Sequence, residues 1–426
     1  MKKFLALIIA LVMALSLVAC GEQKQPDNPD VPDDGQQTAT VKVGFITLHD
    51  ENSTYDLNFI NAAKEAIANL GLTDADYILK TNVPEGQECF ETAMNLVDEG
   101  CNIIFADSFG HEPYMIDAAK EHPEVQFCHS TGTRAHTEKL ANYHNAFASI
   151  YEGRYLAGIA AGLKLNAMIE AGDIKAEEAK MGYVGAFTYA EVVSGYTSFY
   201  LGAKSVCPTV TMDVTFTGSW YDETLEKEGA EKLIQGGCKL ISQHADSLGA
   251  PTACENAGVP NVSYNGSTQA ACPNTYIISS RINWAPYYEY AIKAVMDGTA
   301  IDTDWTGTLA TNSVVLTDLN TTVAAEGTAE AIAAATEKLE KGEIHVFDCS
   351  TFTTKADDTM NAFKVDYLKV DADGHITSYM ADVDTDQAYA GDTEVVHDGY
   401  FAESEKRSAP YFDLEIDGIT RLDTKM

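Results

Sequence analysis

Apolar and polar positions follow each other along this chain in blocks. VKVGFITL (41–48) is almost continuously apolar, and DLNFINAAKEAIANLG (56–71) after it carries apolar residues at helical spacing. The first block predicts a strand buried on both faces. In the second, Ile60, Ala63, Ile67 and Leu70 form one stripe of a helix, with Asp56 as a cap and Gly71 as its end. The alternation recurs through DYILKTNV, ECFETAMNLVDEG, CNIIFADS, EPYMIDAAKEHP and VQFCHST. Such a βαβαβαβ series predicts a parallel sheet with right-handed crossovers. A second series begins near residue 148 with the helical IYEGRYLAGIAAGLKLNAMIEAG and continues through KMGYVGAF, VTMDVTFTGSW, KLISQHAD, NVSYN and TYIISSRIN. The expected fold is therefore α/β, two doubly wound parallel-sheet lobes joined by a hinge. Residues 41–147 with 283–310 are assigned to the N-terminal lobe, and 148–282 with 311–426 to the C-terminal lobe. From about residue 310 the pattern changes to short strands, polar turns and one Ala/Glu/Lys-rich helix (327–341), read as an elaboration of the second lobe.

The start of the chain reads as an address. Residues 1–19 have a basic start and an apolar run too short to span a bilayer, the form of a secretory signal. Leu17-Val18-Ala19-Cys20-Gly21 has the form of a bacterial lipobox, which makes Cys20 the expected lipid attachment point. The Gln-, Asp- and Pro-rich stretch that follows, to residue 40, reads as a flexible tether. The expected place is the extracytoplasmic face of the cell membrane. A formal charge of −36, from 64 acidic and 28 basic residues, argues against nucleic acid as a partner. Eight cysteines follow Cys20, none in a CxxC pair. Buried thiols are the simpler reading, and disulfides are permitted outside the cytoplasm.

No phosphate-binding loop, zinc-protease motif or nucleophile elbow occurs, and no cofactor is expected. His129, His136 and His144 are near one another but not at metal-ligand spacing. DVDTDQAYAGDTE (382–394) begins like a calcium loop but has Gln387 where glycine is needed and Thr393 at its last ligand position.

In wound sheets, ligands bind at the carboxyl ends of the strands. HDENSTYDLNF (49–59) is the first such loop, and it offers Asp50, Asn58 and Phe59. The second lobe offers Trp220 in TGSWYDE, His244, Asp246 and Ser247 in QHADS, and Asn265 in SYNGS. Aromatic rings beside polar groups suit a planar heterocycle.

The lipobox, the loop ending in Asp56-Leu57-Asn58-Phe59, GCNIIFADSFGHEPYMIDAAKEHPEVQF, YEGRYLAGIAAGLK, KMGYVGAF, FTGSWYDETLEKEGAEKLIQGGCKLI and KGEIHVFDCS occur in that order. As a set they resemble the basic membrane protein family, the purine nucleoside receptor lipoproteins of bacterial ABC transporters. The resemblance implies a type I periplasmic-binding-protein fold that holds a nucleoside between aromatics. It places the family's aspartate on Asp50, its stacking phenylalanine on Phe59, its second aromatic on Trp220, the backbone-lined turn near Asp246 and its lysine on Arg281. Ile60, Thr131 and Asn265 depart from the family pattern, the last two standing where carboxylates are expected. Trp284, Tyr287 and Tyr288 add aromatics near the hinge. The implied function is a monomeric substrate-binding protein, not an enzyme. It would pass a purine nucleoside or base to an ABC permease, with Phe59 and Trp220 stacking on the ligand. Other flat heterocycles such as riboflavin are the alternative ligands. An extracytoplasmic nucleoside hydrolase and a surface adhesin are the alternatives of a different class.

Overall fold

The computed structural model describes residues 40–383 and 393–425. Cys20, the signal segment and the tether lie outside the described residues, as does most of the calcium-like stretch.

Twelve strands, with a short thirteenth near the C-terminus, build two sheets. They are β1 (Val43–Ile46), β2 (Tyr77–Lys80), β3 (Ile103–Ala106), β4 (Gln126–Ser130), β5 (Tyr143–Ala148), β6 (Lys180–Gly185), β7 (Thr211–Phe216), β8 (Leu240–His244), β9 (Asn261–Tyr264), β10 (Tyr276–Ile282), β11 (Asp304–Gly307) and β12 (Val314–Leu316). The first sheet has the order β11-β5-β4-β3-β1-β2, parallel throughout. The second runs β12-β10-β9-β8-β6-β7 and is closed at the β7 edge by Ile419–Arg421, which pairs in parallel. Only β12 runs antiparallel in it. β1 and β3 are buried at every position, as their unbroken apolar runs require. The chain passes between the sheets three times, after β5, after β10 and between β11 and β12. That is the arrangement of two lobes that share a hinge.

The helix Thr54–Asn69 starts three residues earlier than its sequence suggests. Ser53 is its cap, with its hydroxyl accepting from Asp56 N. Asp56 answers the cap, its carboxylate accepting from Ser53 Oγ and from His49 N. The buried face of this helix is also broader than one stripe, and takes in Phe59, Ala62 and Ala66 beside Ile60, Ala63 and Ile67.

In the second lobe the helices Ile150–Ala171 and Ala190–Val206 touch backbone to backbone. A Cβ on Gly158 would stand 2.0 Å from Phe199 O, so only glycine allows this approach. The contact fixes the start of the second helix, and with it Glu191, against the sheet. The chain after residue 348 is part of the second lobe's core. Phe352, Tyr379, Phe401, Phe412 and Leu414 pack into the same apolar cluster as Tyr183, Tyr196 and Phe199. All eight cysteines of the described residues are buried free thiols. The three clustered histidines are spent separately. His129 bonds Ser108 O, His144 bonds Asp302 O and Gln126, and His136 bonds Asp304.

Candidate ligand-binding cleft

The carboxyl ends of both parallel sheets face one cavity of about 370 Å³. The first lobe contributes Leu48, His49, Tyr55, Asp56, Ser108, Phe109 and Thr131; the second contributes Glu191, Trp220, His244, Asp246, Tyr264 and Asn265. The lobes meet across the mouth of the cavity. Thr54 donates to Asp246 O through both its amide and its hydroxyl, at 3.1 Å each. The His49 ring lies 5.5 Å from Tyr221, and Phe109 lies 5.2 Å from Tyr189.

Four of the residues offered by the sequence, Trp220, His244, Asp246 and Asn265, line this cavity. Trp220 leans its ring against Phe187 and Tyr189, at 5.0 and 6.0 Å, and its carbonyl accepts from Asp246 N at 3.0 Å. Asp246 and Asn265 are buried beside each other, with the Asn265 amide 3.5 Å from the carboxylate.

Four others stand elsewhere. Asp50 folds back on its own turn and accepts from Asn52 N, from the Asn52 side chain and from Asn82, bonds that hold its carboxyl below the usual range. The acid that reaches the cavity from this loop is Asp56, six residues on. Its oxygens accept from His49 N at 2.7 Å and Ser53 Oγ at 2.6 Å. Phe59 is a core residue, 1% exposed and stacked on Trp284 at 4.6 Å. One helical turn before it, Tyr55 presents its ring to the cavity and donates to Asp107 O at 2.6 Å. Asn58 and Arg281 bind each other at 3.2 Å, and the Asn58 amide also donates to Ile282 O. They tie the first helix to the end of β10 rather than reaching the cavity. Trp284, Tyr287 and Tyr288 are buried in the first lobe's core.

Thr131 and Asn265, the two departures that stand where carboxylates are expected, hold matching places in the two lobes. Each follows the last residue of a strand, β4 or β9. Each sends its amide to the neighbouring strand, Thr131 to Ala146 O and Asn265 to Ser280 O. Each has a positive φ, +77° and +63°. Asparagine tolerates that conformation, but a β-branched threonine is strained in it, at a cost on the order of 1–3 kcal/mol. Thr131 Oγ1 is buried without a hydrogen-bond partner among the described residues, and the residue faces the cavity.

The electrostatics are one-sided. Asp56, Glu191 and Asp246 line the cavity and no lysine or arginine does. Burial, followed by the charges of Asp56, Glu226 and Glu191, pushes the Asp246 carboxyl well above its ordinary range. Burial beside Asp56 does the same to Asp107, just behind the wall. His244 is held neutral by burial, with Glu191 3.4 Å from its Nε2. The compensating charge is Arg154, buried beneath the floor. Its guanidinium donates to Ser242 Oγ (2.7 Å), Ser263 O (3.1 Å) and Tyr183 Oη (3.2 Å) and lies over the Phe199 and Tyr264 rings. Sequence spacing could not reveal Arg154, Glu191 or Tyr264, because the topology alone brings them together.

Glu226 positions the Asp246 turn. Its carboxylate accepts from Ser247 N at 3.1 and 3.2 Å and from Asp222 N at 3.2 Å. Burial raises this group from 4.5 to about 7 in the fold. A group raised in this way contributes stability below its unfolded value and loses it as pH climbs through the folded one. The melting temperature is expected to fall as pH rises from about 4.5 to about 7 and to level off above that, and Glu226→Gln to flatten the fall. A melting series across pH on both proteins checks it; parallel curves would refute it.

The comparisons agree with this geometry. Residues 44–348 match the family model described as "ABC transporter substrate-binding protein PnrA-like". The purine-binding protein BAB2_0673 of Brucella abortus is 32% identical over 61% of this chain and 70% of its own. A putative ABC transporter glucose-binding protein of Haloferax volcanii, TsgA13, is 31% identical over 60% of this chain and 62% of its own. Among solved structures, an ABC transporter solute-binding protein from Aeropyrum pernix K1 superposes with a TM-score of 0.61 at 18% identity, covering 76% of this chain and 96% of that one. That likeness supports the fold, the type I periplasmic-binding-protein fold. With the family model covering most of the described residues, this chain belongs to the PnrA-like family of ABC transporter substrate-binding proteins.

Proposed function

We propose that this protein captures a purine nucleoside or purine base between its lobes and delivers it to an ABC permease while tethered to the membrane through Cys20. The observation that carries the ligand class is the cavity's pairing of rings and acceptors. Trp220 and Tyr264 from one lobe face Tyr55 and Phe109 from the other, and Asp246, Glu191 and Asn265 stand at the edges. A flat ring stacks between the two walls. Its N–H groups and the ribose hydroxyls donate to the carboxylates, and the Thr131 hydroxyl donates to a ring acceptor. A cleft wall without lysine or arginine favours a neutral, donor-rich ring at this end of the ligand. The purine-binding relative supports the same choice.

The test is a thermal-shift panel of purine bases, nucleosides, riboflavin and sugars. A ligand that binds only the folded state raises the melting temperature in proportion to its occupancy. Purine nucleosides or bases are expected to give the largest shift and to be recovered unchanged. A shift by glucose alone, or by riboflavin alone, would reassign the ligand, and release of free base from a nucleoside would make the protein a hydrolase.

A further inference from the structure

A second, larger chamber of about 1570 Å³ adjoins the cleft, and Phe109, Thr131 and Glu191 line both. Its far wall comes from residues 359–424, beyond the segment that matches the family model. The charge there is of a different kind. The cleft is lined by carboxyls without a lysine or arginine, whereas the chamber is lined by Lys364, Arg407 and Arg421. Asp382 and Asp413 share that wall. Asp413 is taken up by Lys364 and by the Tyr379 hydroxyl. Arg407 gives its N–H groups to the carbonyls of Ala409, Pro410, Asp382 and Val383. Arg421 differs from both. Its side chain is only 7% exposed, and it meets Glu415 through Nε at 2.7 Å. Its two terminal nitrogens, the pair that can grip an oxyanion side-on, make no hydrogen bond among the described residues, and the residue lines both this chamber and the neighbouring recess of Lys355, Glu415 and Asp417.

We propose that the chamber receives an anionic substituent, a phosphate or carboxylate, carried by the ligand whose ring occupies the cleft, with Arg421 as its counter-charge. The polarity of the two spaces suits such a molecule. Its donor-rich ring end meets Asp246 and Glu191, and its anionic end passes Phe109 and Thr131 to the guanidinium. The inference rests on the nucleoside reading for its choice of probes.

Calorimetric titration of the whole chain with adenosine, with AMP, and with adenosine in excess inorganic phosphate tests it. AMP is expected to bind at least about tenfold tighter than adenosine, with an advantage that shrinks as salt is raised. Arg421→Gln should close the gap between the two ligands and Arg421→Lys should keep part of it. If Arg421→Gln does not fold, the comparison in the unaltered chain decides. Adenosine binding with AMP excluded or no tighter overturns this inference and leaves the nucleoside reading standing. Binding of neither ligand overturns both. Free phosphate that tightens adenosine as much as the attached phosphate does would assign the chamber to a separate anion and overturn the substituent.

Discussion

Trp220→Ala is expected to weaken nucleoside binding by about a hundredfold or more, while the ligand-free protein loses only about 1 kcal/mol of stability. The two effects separate because of where the ring sits. Trp220 is half-buried against Phe187 and Tyr189 at the edge of the second lobe's core, and its other surface faces the cavity. A buried aromatic anchor in a water-excluding site commonly carries 2 kcal/mol or more of binding energy. The turn itself should survive, since Trp220 binds Asp246 N through its backbone carbonyl and not through the indole. Calorimetric titration together with melting of the ligand-free variant checks both halves. An unchanged dissociation constant would remove Trp220 from the site, and a melting temperature that collapses would make it a core residue.

The fold was legible in the sequence because buried parallel strands and their crossover helices write a strong pattern. Runs such as VKVGFITL and CNIIFADS leave few alternatives when every side chain on both faces is apolar. The site was legible only in part, for a physical reason visible at residues 49–59. The rule that ligands sit beyond the carboxyl ends of strands located the loop correctly, but a helix turns 100° per residue. Tyr55 and Phe59, four residues apart, share one side of the helix, and the earlier start at the Ser53 cap puts Tyr55 at the cavity and leaves Phe59 one turn deeper in the core. The second lobe fared better, since Trp220, Asp246 and Asn265 stand on short strand-end turns where no helical phase intervenes. Glu191 and Arg154 left no local signal. Each is one charged residue on a long helix, and only the contact of the two helices brings both under the cleft.

The opposite signature to Trp220 is expected at Phe59. Its ring is 1% exposed, stacked on Trp284 at 4.6 Å and 22°, and met edge-on by Tyr55 at 4.8 Å. Phe59→Ala empties the seam between the helix Thr54–Asn69 and the helix Ala285–Asp297, and truncations of this kind cost about 3–5 kcal/mol. Phe59→Leu, which keeps most of the volume, should cost under about 1.5 kcal/mol. Ligand affinity should fall less than about tenfold in either variant, because the only route from Phe59 to the cavity is the support it gives the Tyr55 ring. Tyr55 is held independently by its hydrogen bond to Asp107 O. Urea unfolding and calorimetric titration on the same samples separate the two roles. A Phe59→Ala protein as stable as the parent but unable to bind would put Phe59 on the ligand, reversing the assignment of the first lobe's wall to Tyr55. Loss of stability with binding retained would leave Tyr55 and Trp220 as the facing rings, one from each lobe.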